Sequence, residues 1–348
     1  TFSASCNLMR ATLPIILMTV NMNVGMRDRI DTDAMEFDGP GAGPIPLDRF
    51  VDRALYGADG FYVRPDGGRA GRRGDFLTSP EVGPLFGAVL ARHLDGVWES
   101  LGRPDDFSIV DAGAGPGTLA RSILAAGPRC LRSGRYLAVE VSAAQRASHP
   151  DGVESRATLP EGPLTGVVVA NELLDNLPFR LAVFDGGWRE AFAERTGDGS
   201  WRELLSVPFL DPPAVLPLDA PHAARAPLVD RASGWVDDVL GRLRGELLVI
   251  DYGVETTAEL VRRPWREWLR TYRGNEPGDH YLRAPGSQDI TVEVPFDQLP
   301  ASDDVTTQAE FLIRNGLDDL VEEGRRVWRE RAASPDLRAM TMRSRVSE

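Results

Sequence analysis

The stretch Phe107-Ser108-Ile109-Val110-Asp111-Ala112-Gly113-Ala114-Gly115-Pro116-Gly117-Thr118-Leu119 runs from an apolar strand through a glycine turn into a helix. Phe107 to Asp111 has the short, continuous apolar pattern of a strand buried on both faces, and a helical run follows to about Ala126. In an α/β sheet a turn of this kind brings backbone N–H groups and a helix N-terminus to a ligand at the carboxyl edge of the strands. The dinucleotide fingerprint Gly-x-Gly-x-x-Gly is not met, because Gly113, Gly115 and Gly117 are followed by Thr118 where its third glycine would stand. Asp111 closes the strand just before the loop. A carboxylate there repels a pyrophosphate and suits an ammonium group.

The next strand, Tyr136-Leu137-Ala138-Val139-Glu140, ends in an acid 23 residues after Gly117, where a side chain can accept both ribose hydroxyl hydrogens. S-adenosylmethionine combines an ammonium, a sulfonium and a ribose and has no phosphate. The glycines alone amount to a turn; Asp111 and Glu140 turn them into a cofactor site, with Gly113, Gly115, Gly117, Thr118 and Leu119 as the loop.

A third strand, Gly166 to Ala170, leads into Asn171-Glu172-Leu173-Leu174-Asp175-Asn176-Leu177-Pro178. Polar groups at this end of a strand face the ligand crevice, so Asn171 is expected at the cofactor and Glu172 and Asp175 at the chemistry. The bland alternative is a helix N-cap at Asn171 followed by acids that favour the helix dipole. A fourth strand, Glu246 to Asp251, continues into Tyr252-Gly253 at the same edge. Strands alternating with helical stretches predict a parallel α/β sheet covered on both faces. Arg180 to Phe184 and Trp188 to Glu194, joined by Asp185-Gly186-Gly187, predict a hairpin; Trp201 to Val207 adds a third strand, and the proline-rich stretch 210–227 leads to a helix ending near Gly245.

Upstream, Leu47, Phe50, Val51, Ala54 and Leu55 recur at helical spacing behind Pro46, and Gly57 ends that helix. Val82, Leu85, Phe86, Val89, Leu90, Leu94, Val97, Trp98 and Leu101 form the apolar stripe of a longer helix. Between them lies Gly74-Asp75-Phe76-Leu77-Thr78-Ser79-Pro80-Glu81. Thr78 with Glu81 has the spacing of a capping box, and Asp75, Thr78 and Ser79 are expected to fold over the cofactor as well.

The 348 residues carry 52 acids against 39 bases, a formal charge of −13, which disfavours a phosphate-tracking surface and suits a cationic substrate. Every base is arginine, so a lysine Schiff base and the P-loop lysine are excluded. Cys6 and Cys130 cannot build a disulfide framework, and His93, His149, His222 and His280 stand apart, so no metal centre is expected. Residues 1–27 hold one apolar run, Leu13 to Val20, too short to span a bilayer.

Five ordered motifs carry a family resemblance: Gly74-Asp75-Phe76-x-Thr78-Ser79-Pro80-Glu81 with Phe86-Gly87; Asp111-x-Gly113-x-Gly115-x-Gly117-Thr118-Leu119; Ala170-Asn171-Glu172-x-x-Asp175-x-Leu177-Pro178; Asp251-Tyr252-Gly253; and Tyr272-Arg273-Gly274 with Pro285-Gly286-x-x-Asp289-Ile290-Thr291. From about Pro46 to Trp328 the chain resembles the MidA-like family of S-adenosylmethionine-dependent methyltransferases, whose mitochondrial members methylate an arginine of a subunit during assembly of respiratory complex I. The resemblance implies a Rossmann-like class I methyltransferase core with a helical N-terminal segment and an antiparallel β insertion. It implies a protein as substrate, with a respiratory-complex subunit as the candidate, and a cytoplasmic protein, or a mitochondrial one in a eukaryote. The family often has Glu at Asp111, Arg at Pro116 and His at Asn275.

The expected organisation is a flexible leader (1–40), a helical segment (41–105), a core (106–335) with insertions at about 180–245 and 265–290, and a tail (336–348). An arginine guanidinium has no free lone pair, so Glu172 first and Asp175 second would orient it and take its proton during in-line transfer. Asp251, Tyr252, Tyr272 and Asp289 are the expected substrate contacts, against a simpler account as turn residues and a solvated ion pair; Trp265 and Trp268 are expected in the core. Two rival functions are a catalytically silent assembly scaffold on the same fold and a nicotinamide-dependent oxidoreductase. The second lacks a Tyr-x-x-x-Lys relay.

Overall fold

A computed structural model describes residues 15–22, 43–64, 84–274, 276–331 and 340. In chain order its main elements are β1 (Ile15–Met22), α1 (Leu47–Tyr56), α2 (Pro84–Ser100), β2 (Ser108–Ala112), α3 (Thr118–Ala126), β3 (Arg135–Val139), β4 (Glu154–Arg156) and β5 (Leu164–Asn171). There follow β6 (Arg180–Phe184), β7 (Trp188–Arg195), β8 (Trp201–Pro208), β9 (Arg225–Leu228), α4 (Asp230–Leu240), β10 (Leu243–Val254), β11 (Leu269–Arg273), β12 (Asp289–Val292), β13 (Asp304–Thr307), α5 (Gln308–Arg314) and α6 (Leu317–Arg331).

The central sheet has the order β13-β1-β10-β5-β2-β3-β4. From β10 to β4 every pairing is parallel. The chain leaves β2 towards β3 and leaves β5 towards β10, so the order reverses between β2 and β5. Ligands of open α/β sheets bind at such a switch point, beyond the carboxyl ends of the strands. This is the predicted Rossmann-like methyltransferase architecture. The strands are almost continuously buried: Val167, Val168, Val169, Leu247, Leu248 and Val249 are all 0% exposed, as a sheet covered on both faces requires.

Three features depart from the sequence reading. Ile15–Met22, placed in a leader outside the fold, is a full strand of the sheet, antiparallel to both β10 and β13. Its apolar run is the signal of a buried strand, and Leu17 and Met18 are only 1% exposed. Second, the helix expected to end near Gly245 ends at Leu240, and Gly245 lies inside β10 opposite Gly166 of β5. A Cβ on Gly245 would meet the Gly166 carbonyl oxygen at 1.9 Å, so the glycine marks a close approach of two strands and not a helix end. Third, Asn171 caps no α-helix: it ends β5, and Leu174–Asn176 forms a single 3₁₀ turn.

The predicted hairpin forms as β6 and β7, with β8 added beside β7, β9 beside β6, and Ile45–Pro46 pairing at Ala193 and Phe192. A third small sheet joins β11 to β12. Pairing of Gly253 and Val254 with Val294 and Pro295 fastens it to the end of β10. Trp268 is fully buried and Trp265 packs partly against the core. No helix among the described residues is long and apolar enough to cross a membrane.

Candidate active site

Connecting segments, helix α4 and one face of the small sheet enclose a cavity of about 540 Å³ at the switch point. The glycine loop forms one wall. Gly113 and Ala114 donate their N–H groups to the Val139 carbonyl at 2.9 and 3.0 Å, which folds the loop back onto β3. Gly113 has φ +75°, and a Cβ there would lie 3.1 Å from Leu173 Cδ1, so a larger residue would be strained and would press on the segment carrying Glu172. Gly117, at φ +81°, starts α3 but does not line the cavity; it lies under His149 and Pro150.

Glu140 lines the cavity and accepts from Ser142 N–H at 2.7 Å and Gly115 N–H at 3.0 Å. Burial raises its carboxyl above the usual range, opposed by those N–H groups. A carboxylate has about four acceptor positions, so these N–H groups do not exhaust it and it can still accept from a ribose hydroxyl. Asp111, 2% exposed, accepts from Tyr136 Oη at 2.9 Å; burial pushes it up to about 7 against that hydrogen bond, with Glu140 adding to the rise. Thr118, Leu119 and Asn171 also line the cavity, and Asn171 Oδ1 is buried with no hydrogen-bond partner among the described residues.

Beyond Asn171 the backbone bends sharply. Glu172 sits at φ +53°, a conformation that non-glycine residues avoid, held by its N–H donating to the Ile250 carbonyl at 2.8 Å. Asp175 follows on the 3₁₀ turn, 7% exposed, its Oδ2 accepting from Thr291 Oγ1 at 2.7 Å. Both acids line the cavity.

Asp251 does not. It is 0% exposed and absent from the cavity wall, so its expected substrate contact is corrected to a role behind the wall. Its Oδ2 accepts from Leu174 and Asp175 N–H at 2.8 and 3.3 Å and its Oδ1 from Tyr252 N–H at 2.9 Å. Burial, then the charges of Asp175 and Glu172, raise its carboxyl well above the usual range. Asp251 therefore shapes the turn that presents Asp175.

Tyr252, Tyr272 and Asp289 line the cavity. Arg270 pairs with Thr291 and Tyr272 with Asp289 in register, so alternate residues of β11 and β12 give one face to the cavity. Asp289 Oδ1 accepts from Tyr62 Oη at 2.9 Å and Asn176 Nδ2 at 3.0 Å. Tyr56 donates to the Asn176 carbonyl at 3.1 Å and stacks on Tyr62 with ring centres 5.6 Å apart. Burial keeps both phenols protonated. Sequence reasoning missed Tyr56, Tyr62, Asn176 and Arg270 as site residues. Tyr56 stands beside the apolar stripe of α1, a polar-tipped ring at a helix end, which was the available signal. Asp75, Thr78 and Ser79 lie outside the described residues.

Residues 89–313 match a family model described as "Putative S-adenosyl-L-methionine-dependent methyltransferase". The protein arginine methyltransferase NDUFAF7 homolog of Drosophila melanogaster, a mitochondrial protein, is 28% identical over 298 residues, covering 73% of this chain and 65% of the fly protein. This chain thus spans just under two thirds of that relative's length. Mouse protein arginine methyltransferase NDUFAF7, also mitochondrial, is 26% identical over 328 residues, or 79% of this chain and 72% of its own. A Burkholderia thailandensis crystal structure bound to S-adenosylhomocysteine superposes with a TM-score of 0.72 at 27% identity, covering 88% of this chain and 83% of that one. A native crystal structure of a protein from the same organism gives 0.66 at 30% identity, with 81% and 78% covered.

The residues present fit S-adenosylmethionine. Glu140 offers the ribose an acceptor, Asp111 offers one to an ammonium, Asn171 Oδ1 is an unspent buried acceptor, and the loop at Gly113 leaves no room for a side chain.

Proposed function

From the premise that this chain belongs to the MidA-like family of S-adenosylmethionine-dependent methyltransferases, with S-adenosylmethionine as its methyl donor, we propose that it N-methylates an arginine side chain of a protein partner. The observation that carries this reading is the joining of Glu172, Asp175 and Asp289 to the glycine loop in one cavity. A respiratory-complex subunit is the candidate partner, by extension from the family resemblance.

When bound, the cofactor supplies an electrophilic methyl group on a sulfonium for in-line displacement by the acceptor nitrogen. The chain's part is to orient, desolvate and take a proton. Holding an acceptor in near-attack geometry contributes roughly 7–11 kcal/mol. Guanidinium is protonated at neutral pH and its N–H groups form a planar fork, which matches carboxylates. Glu172 and Asp175 receive that fork. As the N–C bond forms, the nitrogen loses a proton, which passes to one of these carboxylates. Asp251, its oxygens spent on the N–H groups of Leu174, Asp175 and Tyr252, stays behind the wall and leaves Glu172 and Asp175 as the acceptors of that proton. Tyr62 and Asn176 fix Asp289 as a further acceptor for the fork. The stacked Tyr56 and Tyr62 rings give the flat cation a wall.

The test is a split in kinetic constants. Glu172→Gln should lower kcat on an arginine acceptor at least about 100-fold while leaving S-adenosylhomocysteine affinity within about twofold. Equal kcat in variant and wild type would remove Glu172 from the chemistry. Methylation of lysine-bearing acceptors alone would remove arginine as the substrate.

A further inference from the structure

The segment after β3 carries a histidine to which the site gives no part so far. His149 follows a short helical turn at Ala143–Arg146, is half-buried, and is not among the described residues that line the cavity. Its Nε2 stands 2.9 Å from the Gly115 carbonyl oxygen, and its Nδ1 stands 2.9 Å from Ser155 Oγ on β4. A backbone carbonyl only accepts, so Nε2 carries the proton and Nδ1 is left to accept from the Ser155 hydroxyl. Burial holds the imidazole below its ordinary pKa against the pull of the Gly115 carbonyl, and the charges of Arg121 and Arg146 push the same way as burial. Nε2 donates from the neutral ring and from the charged ring alike.

Gly115 is the residue through which this bond reaches the cavity. It sits at φ +54°, its N–H donating to Glu140 Oε2 at 3.0 Å while its carbonyl accepts from His149. Both Gly115 and Glu140 line the cavity. A glycine has no side chain to fix its peptide planes, so partners on its N–H and carbonyl must select one orientation. The contact has a companion. Arg121 on α3 donates from Nη2 to the Pro116 carbonyl at 2.9 Å and from Nη1 to the Ser148 carbonyl at 3.0 Å, so the glycine loop and residues 148–149 are tied together twice. A Cβ on Gly117 would lie 3.2 Å from His149 Cδ2, which places the ring against the next bend of the loop as well.

We propose that His149 is a positioning residue of the cofactor site: by holding the Gly115 carbonyl it fixes the residue whose N–H orients Glu140 towards the ribose hydroxyls. The inference rests on the methyltransferase reading and adds to it a residue that touches neither cofactor nor acceptor.

Two substitutions separate the hydrogen bond from the packing. His149→Phe keeps a ring and removes the donor, whereas His149→Gln returns an N–H at the reach of Nε2. Calorimetric titration with S-adenosylhomocysteine and with its 2′,3′-dideoxyribose analogue reads the route. His149→Phe weakens S-adenosylhomocysteine at least about 10-fold and the analogue less than about threefold, because the analogue offers Glu140 no hydroxyl. His149→Gln returns S-adenosylhomocysteine affinity to within about threefold of wild type. At saturating S-adenosylmethionine both variants keep kcat within about twofold, so the loss falls on KM for the cofactor.

Wild-type affinity of His149→Phe for S-adenosylhomocysteine overturns the proposal. So does equal weakening of the two ligands, equal loss in the Phe and Gln variants, or a larger fall in kcat at saturation. Should His149→Phe fail to fold, nitrogen–proton correlation NMR of the wild-type imidazole decides: a proton on His149 Nε2 is expected, and a bare Nε2 overturns the assignment. Failure of the wild type to bind S-adenosylhomocysteine at all would instead sink the methyltransferase reading.

Discussion

Thr291 Oγ1 donates to Asp175 Oδ2 at 2.7 Å, and through this bond the small sheet of β11 and β12 grips the turn that follows β5. Asp251 holds the same turn from the opposite side of the chain, by its backbone. Asp175 is thus fixed by two segments more than 70 residues away in sequence. Removing the hydroxyl with Thr291→Val should free the carboxylate and lower kcat about 10-fold, with S-adenosylhomocysteine affinity unchanged. Steady-state kinetics beside calorimetry checks it; a loss confined to cofactor affinity would relocate Asp175 to the cofactor.

Asp111 gives a pH dependence with a defined sign. Its folded value of about 7 lies above the ordinary carboxyl value of 3.8, so the folded chain holds this proton where the unfolded chain has released it. Its contribution to stability is complete below the unfolded value and fades as pH rises through about 7, by on the order of 4 kcal/mol in all. Stability of Asp111→Asn relative to wild type should therefore climb from pH 4 to pH 7 in denaturant titrations. A flat difference would show that Asp111 ionises at its ordinary value.

The same group predicts the opposite trend for binding. An ammonium pairs with ionised Asp111, so S-adenosylhomocysteine affinity should rise as pH passes upward through about 7, and Asp111→Asn should flatten that rise. Calorimetry across the range, in wild type and variant, measures both slopes. Parallel slopes would place the ammonium elsewhere.

Strand β1 should be integral to stability. Leu17, 1% exposed between β10 and β13, should cost about 2–5 kcal/mol when replaced by Ala, read as a lowered denaturant midpoint at unchanged slope. A change under about 0.5 kcal/mol would mean that the strand is not seated in the sheet in solution.

Gly113→Ala tests the cradle. At φ +75° with Leu173 3.1 Å away, the added methyl should weaken S-adenosylhomocysteine binding more than about 10-fold. Wild-type affinity would show that the loop yields freely.

The parallel strands were legible because each is a short apolar run ending in a polar residue at the crevice. Asp111, Glu140, Asn171, Glu172 and Asp175 all line the cavity for that reason. Strand β1 was misread because an apolar run before the first helix resembles a leader, and only long-range pairing with β10 reveals its place. Asp251 ends its strand like the others, yet its side chain turns back onto backbone N–H groups, a choice that no local pattern encodes. Tyr62, and the bond from Thr291 to Asp175, act across 227 and 116 residues, separations at which spacing says nothing. The −13 charge pointed to a cationic substrate, and the acids around Glu172 give part of that excess a location.

The most direct measurement is tandem mass spectrometry of acceptor proteins after incubation with methyl-deuterated S-adenosylmethionine and either wild-type protein or the Glu172→Gln Asp175→Asn variant. The labelled methyl should lie on an arginine side-chain nitrogen with wild type and fall at least about 100-fold with the variant. Label on any other residue type, or equal arginine label from both proteins, would contradict the account.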